Sequence, residues 1–259
     1  MTRWIVLGFL AALALGPAPS VWAEEEMAKI PGGKFVPLYG TNKKPVKVKA
    51  FWLDRRLVSG GDFLKFVEEN PSWRCSAVKR LFADEGYLQK WRGDLEPGEA
   101  DILAAPVVQV SWFSARAYCR SKGKRLPHTE EWELAALADE TRPDASADPA
   151  FGRKILEWYS RPTGDKGPGP VGSAGKNFYG VYDLHGLVWE WTEDFNSIFM
   201  TGESRADRSP DEKLFCGAGA AGTADPLNYA GYMRYAFRSS LKATHTVANL
   251  GFRCARDLP

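Results

Sequence analysis

Hydrophobic periodicity breaks off every ten residues or so along this chain, and that limits the folds open to it. Helical spacing predicts three short helices. GGDFLKFVEEN (residues 60–70) places Phe63, Phe66 and Val67 on one face and stops before Pro71. SARAYCRSKG (114–123) ends on Gly123, a residue suited to a helix C-terminus. KRLPHTEEWELAALA (124–138) offers Thr129 as N-cap, with Glu130 and Glu131 in a first turn where the helix dipole favours acids. Period-two alternation predicts strands in IPGGKFVPLYG (30–40) and VKVKAFWLDRRLVS (46–59), and PVVQVSW (106–112) reads as a buried strand. Residues 71–105 look irregular, and 139–176, rich in Pro, Gly and Asp, read as long loops. The C-terminal third mixes Gly with aromatics and shows few long helical patterns. The expectation is one α+β domain of short strands, few helices and much ordered loop, and 259 residues that are 44% hydrophobic can bury a core of that size.

The N-terminus has Arg3, an apolar run from Trp4 to Gly16, and Val21-Trp22-Ala23 before Glu24. The run is short of the roughly 20 residues a membrane span needs. It reads as a signal peptide over 1–23, leaving a mature domain over 24–259, periplasmic and without a stable membrane anchor after cleavage. All four cysteines, Cys75, Cys119, Cys216 and Cys254, lie in the mature part, where an even count favours disulfides, and their spacing suggests no zinc site. Basic and acidic residues number 34 and 32, and a net charge of +2 supplies no field to attract nucleic acid.

The segment DLHGLVWEWTED (183–194) sets four carboxylates around two tryptophans. Strict alternation puts Trp189 and Trp191 on one face and Glu190 on the other, which is compatible with buried indoles and a solvated acid. With IPGGKF, PVVQVSWFSARAYC, GKRLPHTEEWELAA, NFYGVYDLHGLVWEWTED and NLGFRCARD in this order, the chain resembles the formylglycine-generating enzymes, or sulfatase-modifying factors, over about residues 28–257. The resemblance implies a low-regularity α+β fold distantly similar to C-type lectin domains. It implies a structural calcium held by the Asp183 side chain, the Gly186 and Val188 carbonyls and the Glu190 side chain, oxygen donors of the kind a hard cation takes. Glu193 and Asp194 are then rim residues. The family's second calcium site has no match in ILEWYSRPTGDKGPG. The resemblance also implies a Cys119–Cys254 disulfide; Cys75 and Cys216 are then the cysteines left over, and their pairing stays open.

The family oxidises a substrate cysteine with two cysteines that bind copper(I), an ion that selects soft thiolates. The matching positions are Ala230 and a residue at or near Asp225, so no copper is expected. The three-histidine iron site of the related sulfoxide synthases does not match the spacing of His128, His185 and His245. GAGAAG (217–222) lacks the GK[ST] of a phosphate loop. By position, Trp189, Tyr229, Arg238 and Asn249 correspond to residues around the family's substrate cleft, and His245 lies in a loop expected nearby; Asn249 and Arg253 also suit scaffold roles. Exported relatives without the cysteine pair include maturation factors for pyoverdine and for copper nitrite reductase, and residues 215–243 are most similar to the latter. The resulting expectation is a periplasmic accessory or maturation protein that binds a polypeptide or small molecule, with a periplasmic redox enzyme as a candidate partner. The alternatives are a copper-free oxidoreductase acting on a small molecule or peptide, and a lectin-like ligand-binding module.

Overall fold

Strands from the two ends of the chain meet in one sheet. The computed structural model describes residues 26–36, 45–160, 167–196 and 226–258. In it, β1 (Met27–Ile30) and β7 (Ala255–Asp257) flank the central β4 (Phe51–Asp54), both antiparallel to it, with Met27 opposite Asp54 and Phe51 opposite Asp257. A second antiparallel pair joins β2 (Gly33–Phe35) to β3 (Val46–Val48), and a third, parallel pair joins β5 (Trp189–Glu190) to β6 (Leu250–Gly251). The Cys119–Cys254 disulfide is present and ties α3 (Trp112–Ser121) to the segment leading into β7.

Helix α1 (Gly60–Glu69) forms where its spacing predicts. Its N-terminus is a capping box in which the Ser59 hydroxyl accepts from the Asp62 N–H at 3.1 Å and the Asp62 carboxylate faces back. It buries Phe63 and Phe66 against Tyr118 of α3 and Phe252, with ring centroids 5.3–6.2 Å apart. Each fully buried phenylalanine stabilises the fold by roughly 1.5–3 kcal/mol relative to exposure, which makes this cluster a main source of stability.

Four readings of the sequence need correction. Residues 106–112 are not a strand: Val107 N–H donates to Val58, Gln109 N–H to Val247 and Trp112 N–H to Ala243, so the segment is stitched to separate neighbours, and Gln109 sits at φ +56°. In α4 (Thr129–Ala136) the N-cap is His128, not Thr129; Glu131 closes the box by accepting from the His128 N–H at 2.8 Å. Residues 139–176 are not all loop, because α5 (Pro149–Ser160) buries Phe151 and Ile155. The C-terminal third contains α6 (Pro226–Ser239), 14 residues long, packed on α5. A five-residue helix, α2 (Ala100–Ala104), lies in the otherwise irregular 71–105 stretch. Among the described residues, no helix is long and apolar enough to cross a membrane.

Candidate functional site

Beside β5 the chain builds a shelf of aromatic rings. Trp189 stacks on Phe237 of α6 (centroids 4.7 Å apart, 27° between planes), and Tyr159 and Trp158 of α5 lie at 4.9 and 5.9 Å from it. The shelf borders a cavity of about 560 Å³, whose wall includes Trp158, Tyr159, His185, Trp189 and Asn249. Of the residues expected at the cleft, the structure brings Trp189 and Asn249 together here, the Trp189 N–H donating to the Asn249 carbonyl at 2.8 Å. Arg238 lines a small adjoining cavity that shares Trp189. Tyr229 and His245 line neither; His245 Nδ1 instead accepts from the Lys242 N–H at 3.3 Å.

A charged network supports this floor. Glu133 accepts from Arg234 Nη2 and from Arg238 Nη1, both at 2.7 Å, and Arg234 Nη1 donates to the Tyr159 hydroxyl at 3.0 Å. Both guanidiniums also lie over the Trp132 ring, at 5.5 and 4.9 Å. Burial pushes the Glu133 carboxyl up, but the two arginines outweigh it and hold the carboxyl at about 2. Two guanidiniums against one carboxylate leave one positive charge under the shelf. His185 is the residue that sequence reasoning missed. Its Nε2 donates to the Ala136 carbonyl at 2.7 Å, which leaves Nδ1 a bare acceptor, buried and unpartnered, in the wall between the cleft and a second cavity of about 70 Å³. Burial, reinforced by Arg234, lowers its pKa to about 4. No sequence signal singles out His185, since its role comes from α4 and α5 closing around it.

The Asp183–Glu190 loop is held from within the protein. Asp183, at φ +63°, accepts from the Gly172 and Ala174 N–H groups at 2.5 and 2.9 Å. Glu190 is neither solvated nor exposed: its two oxygens accept from Arg253 Nε and Nη2 at 2.7 and 2.8 Å, and both side chains are 0% exposed. The Gly186 carbonyl accepts from the Val188 N–H at 2.9 Å. In this arrangement the Arg253 guanidinium serves as counter-charge to both Glu190 oxygens. Among the described residues, no three His, Cys, Asp or Glu side chains gather to hold a metal.

Glu193 and Asp194 are more than rim. Glu193 pairs with Arg116 at 2.7 Å, and Asp194 accepts from the Thr129 N–H and hydroxyl at the start of α4, at 2.7 and 2.9 Å. Cys75 has no disulfide partner among the described residues, and Cys216, Asp225, GAGAAG and the signal segment lie outside them. Ala230, which the sequence resemblance sets against a family cysteine, is 0% exposed and packs with Phe151 and Ile155 in the α5–α6 interface.

Fold and cleft together define an α+β scaffold of the sulfatase-modifying type. The sulfatase-modifying factor enzyme 1-like domain matches residues 14–258, and the chain belongs to that family. The inactive C-alpha-formylglycine-generating enzyme 2 of Bos taurus is 33% identical over 88% of this chain and 87% of its own length. The formylglycine-generating enzyme of Thermomonospora curvata is also 33% identical, over 89% of this chain and 93% of its own. The solved structure of PvdO from Pseudomonas aeruginosa is similar over 90% of this chain and 94% of its own, at 18% identity and a TM-score of 0.48.

Proposed function

We propose that this protein is a periplasmic accessory or maturation factor that binds a polypeptide or small molecule at the Trp189 shelf and performs no copper–cysteine oxidation. What supports this reading is Ala230: the family resemblance aligns it with a copper-binding thiol, and it is a fully buried methyl group packed with Phe151 and Ile155, not a soft donor. Relatives named as active and as inactive enzymes are equally identical to this chain, so likeness alone does not decide the matter. The shelf favours a ligand with a flat or apolar group to stack on Trp189. The surplus positive charge of Arg234 and Arg238 favours an anionic or acceptor group beside it.

The test is titration of candidate ligands against the purified protein, followed by Trp fluorescence and by dissolved oxygen in the presence of a cysteine-containing peptide. Binding without oxygen uptake, lost in Trp189→Ala, supports the accessory role. Oxygen uptake with product formation overturns it in favour of an oxidoreductase. A lectin-like role needs carboxylates that can reach a sugar through calcium, and Asp183 and Glu190 are both buried, which weighs against it.

Calcium at the Asp183 loop stands as a separate proposal inherited from the family resemblance. Metal analysis and melting with and without a chelator test it: a chelator-induced drop in melting temperature supports the ion, and an unchanged melt leaves Arg253 as the sole counter-charge of Glu190.

A further inference from the structure

We propose that a second, basic groove, remote in its lining from the aromatic cleft, is a docking site for an acidic peptide segment of a partner protein. The groove encloses about 1010 Å³ and shares no lining residue with the 560 Å³ cavity. Its wall carries seven lysines and arginines against three acids, a net charge of +4. The whole chain carries only +2, so positive charge is concentrated here and the remainder of the protein is net negative.

The acids in the wall are largely occupied. Asp54 accepts from Lys124 Nζ at 2.7 Å and from the Cys254 N–H at 3.0 Å, and Asp62 belongs to the capping box of α1. Lys65, Lys176 and Arg256 have no acidic partner among the described residues. Arg56 and Lys122 lie only over aromatic rings, Tyr182 at 5.3 Å and Tyr118 at 6.0 Å. Arg55 donates to the Tyr179 and Gly180 carbonyls at 3.4 and 3.3 Å, which fixes its position without neutralising it. Gly180 makes that approach possible: it sits at φ +76°, and a Cβ there would meet Arg55 Nη1 at 2.3 Å.

The chemistry favours a peptide over other anions. The cations come from β4 and its exit, α1, the end of α3, the 176–182 loop and β7, so they surround a space much larger than one phosphate or sulfate, and a ligand that answers them must carry spaced carboxylates. Nucleic acid needs open ring faces for base stacking, but Tyr118 is 8% exposed and Tyr182 is covered by Arg56. Three acids in the wall also repel a continuous phosphate backbone. The groove stands independently of the cleft, so either can fail without the other.

The experiment uses the purified protein and a fluorescein-labelled hexaglutamate peptide, read by anisotropy, with hexaserine, an oligoribonucleotide of equal length and inorganic phosphate as comparison probes. Hexaglutamate is expected to bind, to weaken with added salt, and to lose at least about tenfold in affinity in Lys65→Glu/Arg256→Glu, while Trp189→Ala leaves it unchanged. If the reversal variant does not fold, Lys65→Gln/Lys176→Gln replaces it, and backbone amide shifts on peptide addition to the unaltered protein must map to the groove. No hexaglutamate binding, binding unaffected by the variants, amide shifts elsewhere, equal affinity for the oligoribonucleotide, or full displacement by phosphate each overturns the proposal.

Discussion

Arg253 grips Glu190 through two parallel hydrogen bonds of 2.7 and 2.8 Å, with both side chains fully excluded from water, and the same guanidinium donates to the Tyr182 carbonyl at 2.9 Å. One residue thus ties β5 to the C-terminal strand region and to the loop after the Gly180 turn. Removing either partner leaves an uncompensated buried charge, which typically costs about 3–5 kcal/mol. Glu190→Gln and Arg253→Met should each lower stability by that order in denaturant unfolding. If the loss arises from the ion pair, it is the same with and without chelator; a loss confined to calcium-containing buffer would assign Glu190 to the cation instead.

His185 and Glu133 both contribute to the acid response. The unfolded chain protonates histidine near 6.5, whereas folded His185 resists until about 4, so the unfolded state holds more protons between those values and stability falls as pH drops through that window. Glu133 has the same sign lower down: its contribution is present above 4.5 and is lost as pH falls toward 2. Each group contributes a slope of at most about 1.4 kcal/mol per pH unit. His185→Phe should flatten the upper window and leave the lower one, as read from melting temperature against pH; an unchanged upper window would show that His185 does not titrate this way.

The Cys119–Cys254 bridge spans a sequence separation of 135 and constrains the unfolded chain strongly. Cys254→Ser should cost about 2–5 kcal/mol and lower the yield of folded protein, measured by denaturant titration beside the oxidised parent. Equal stability would mean that the bridge adds nothing beyond the sheet pairing of β4 and β7.

Ala230 tests whether the position that the resemblance sets against a thiol is cleft or packing. With no exposure and with Phe151 and Ile155 around it, Ala230→Leu should overpack the α5–α6 interface and lose roughly 1–3 kcal/mol. Ala230→Cys should fold but bind no copper, by metal analysis. Tolerance of leucine without loss of stability would open this position to solvent.

Local pattern in the sequence was enough to place α1 and α3 within a residue or two, because Phe63, Phe66 and Val67 repeat at helical spacing and Gly123 marks an end chemically; the Ser59 cap of α1 became visible only in the structure. The order of motifs carried the family and the Cys119–Cys254 pair. Helix α5 had a readable signal in Phe151 and Ile155 that the surrounding Pro, Gly and Asp obscured. Helix α6 had none, since its buried positions include Ala230, Gly231, Arg234, Arg238 and Ser239, and a hydrophobic period cannot register arginines whose burial depends on Glu133 some hundred residues away.

The sequence by itself determined the fold class, the short helices that close through neighbouring residues, and the kinship. Tertiary structure decided the rest: that Glu190 faces Arg253, that His185 keeps a bare nitrogen, and that scattered cations share one groove. Charges separated by tens to hundreds of residues take their meaning from what the fold places within hydrogen-bond distance, and no local period encodes that distance.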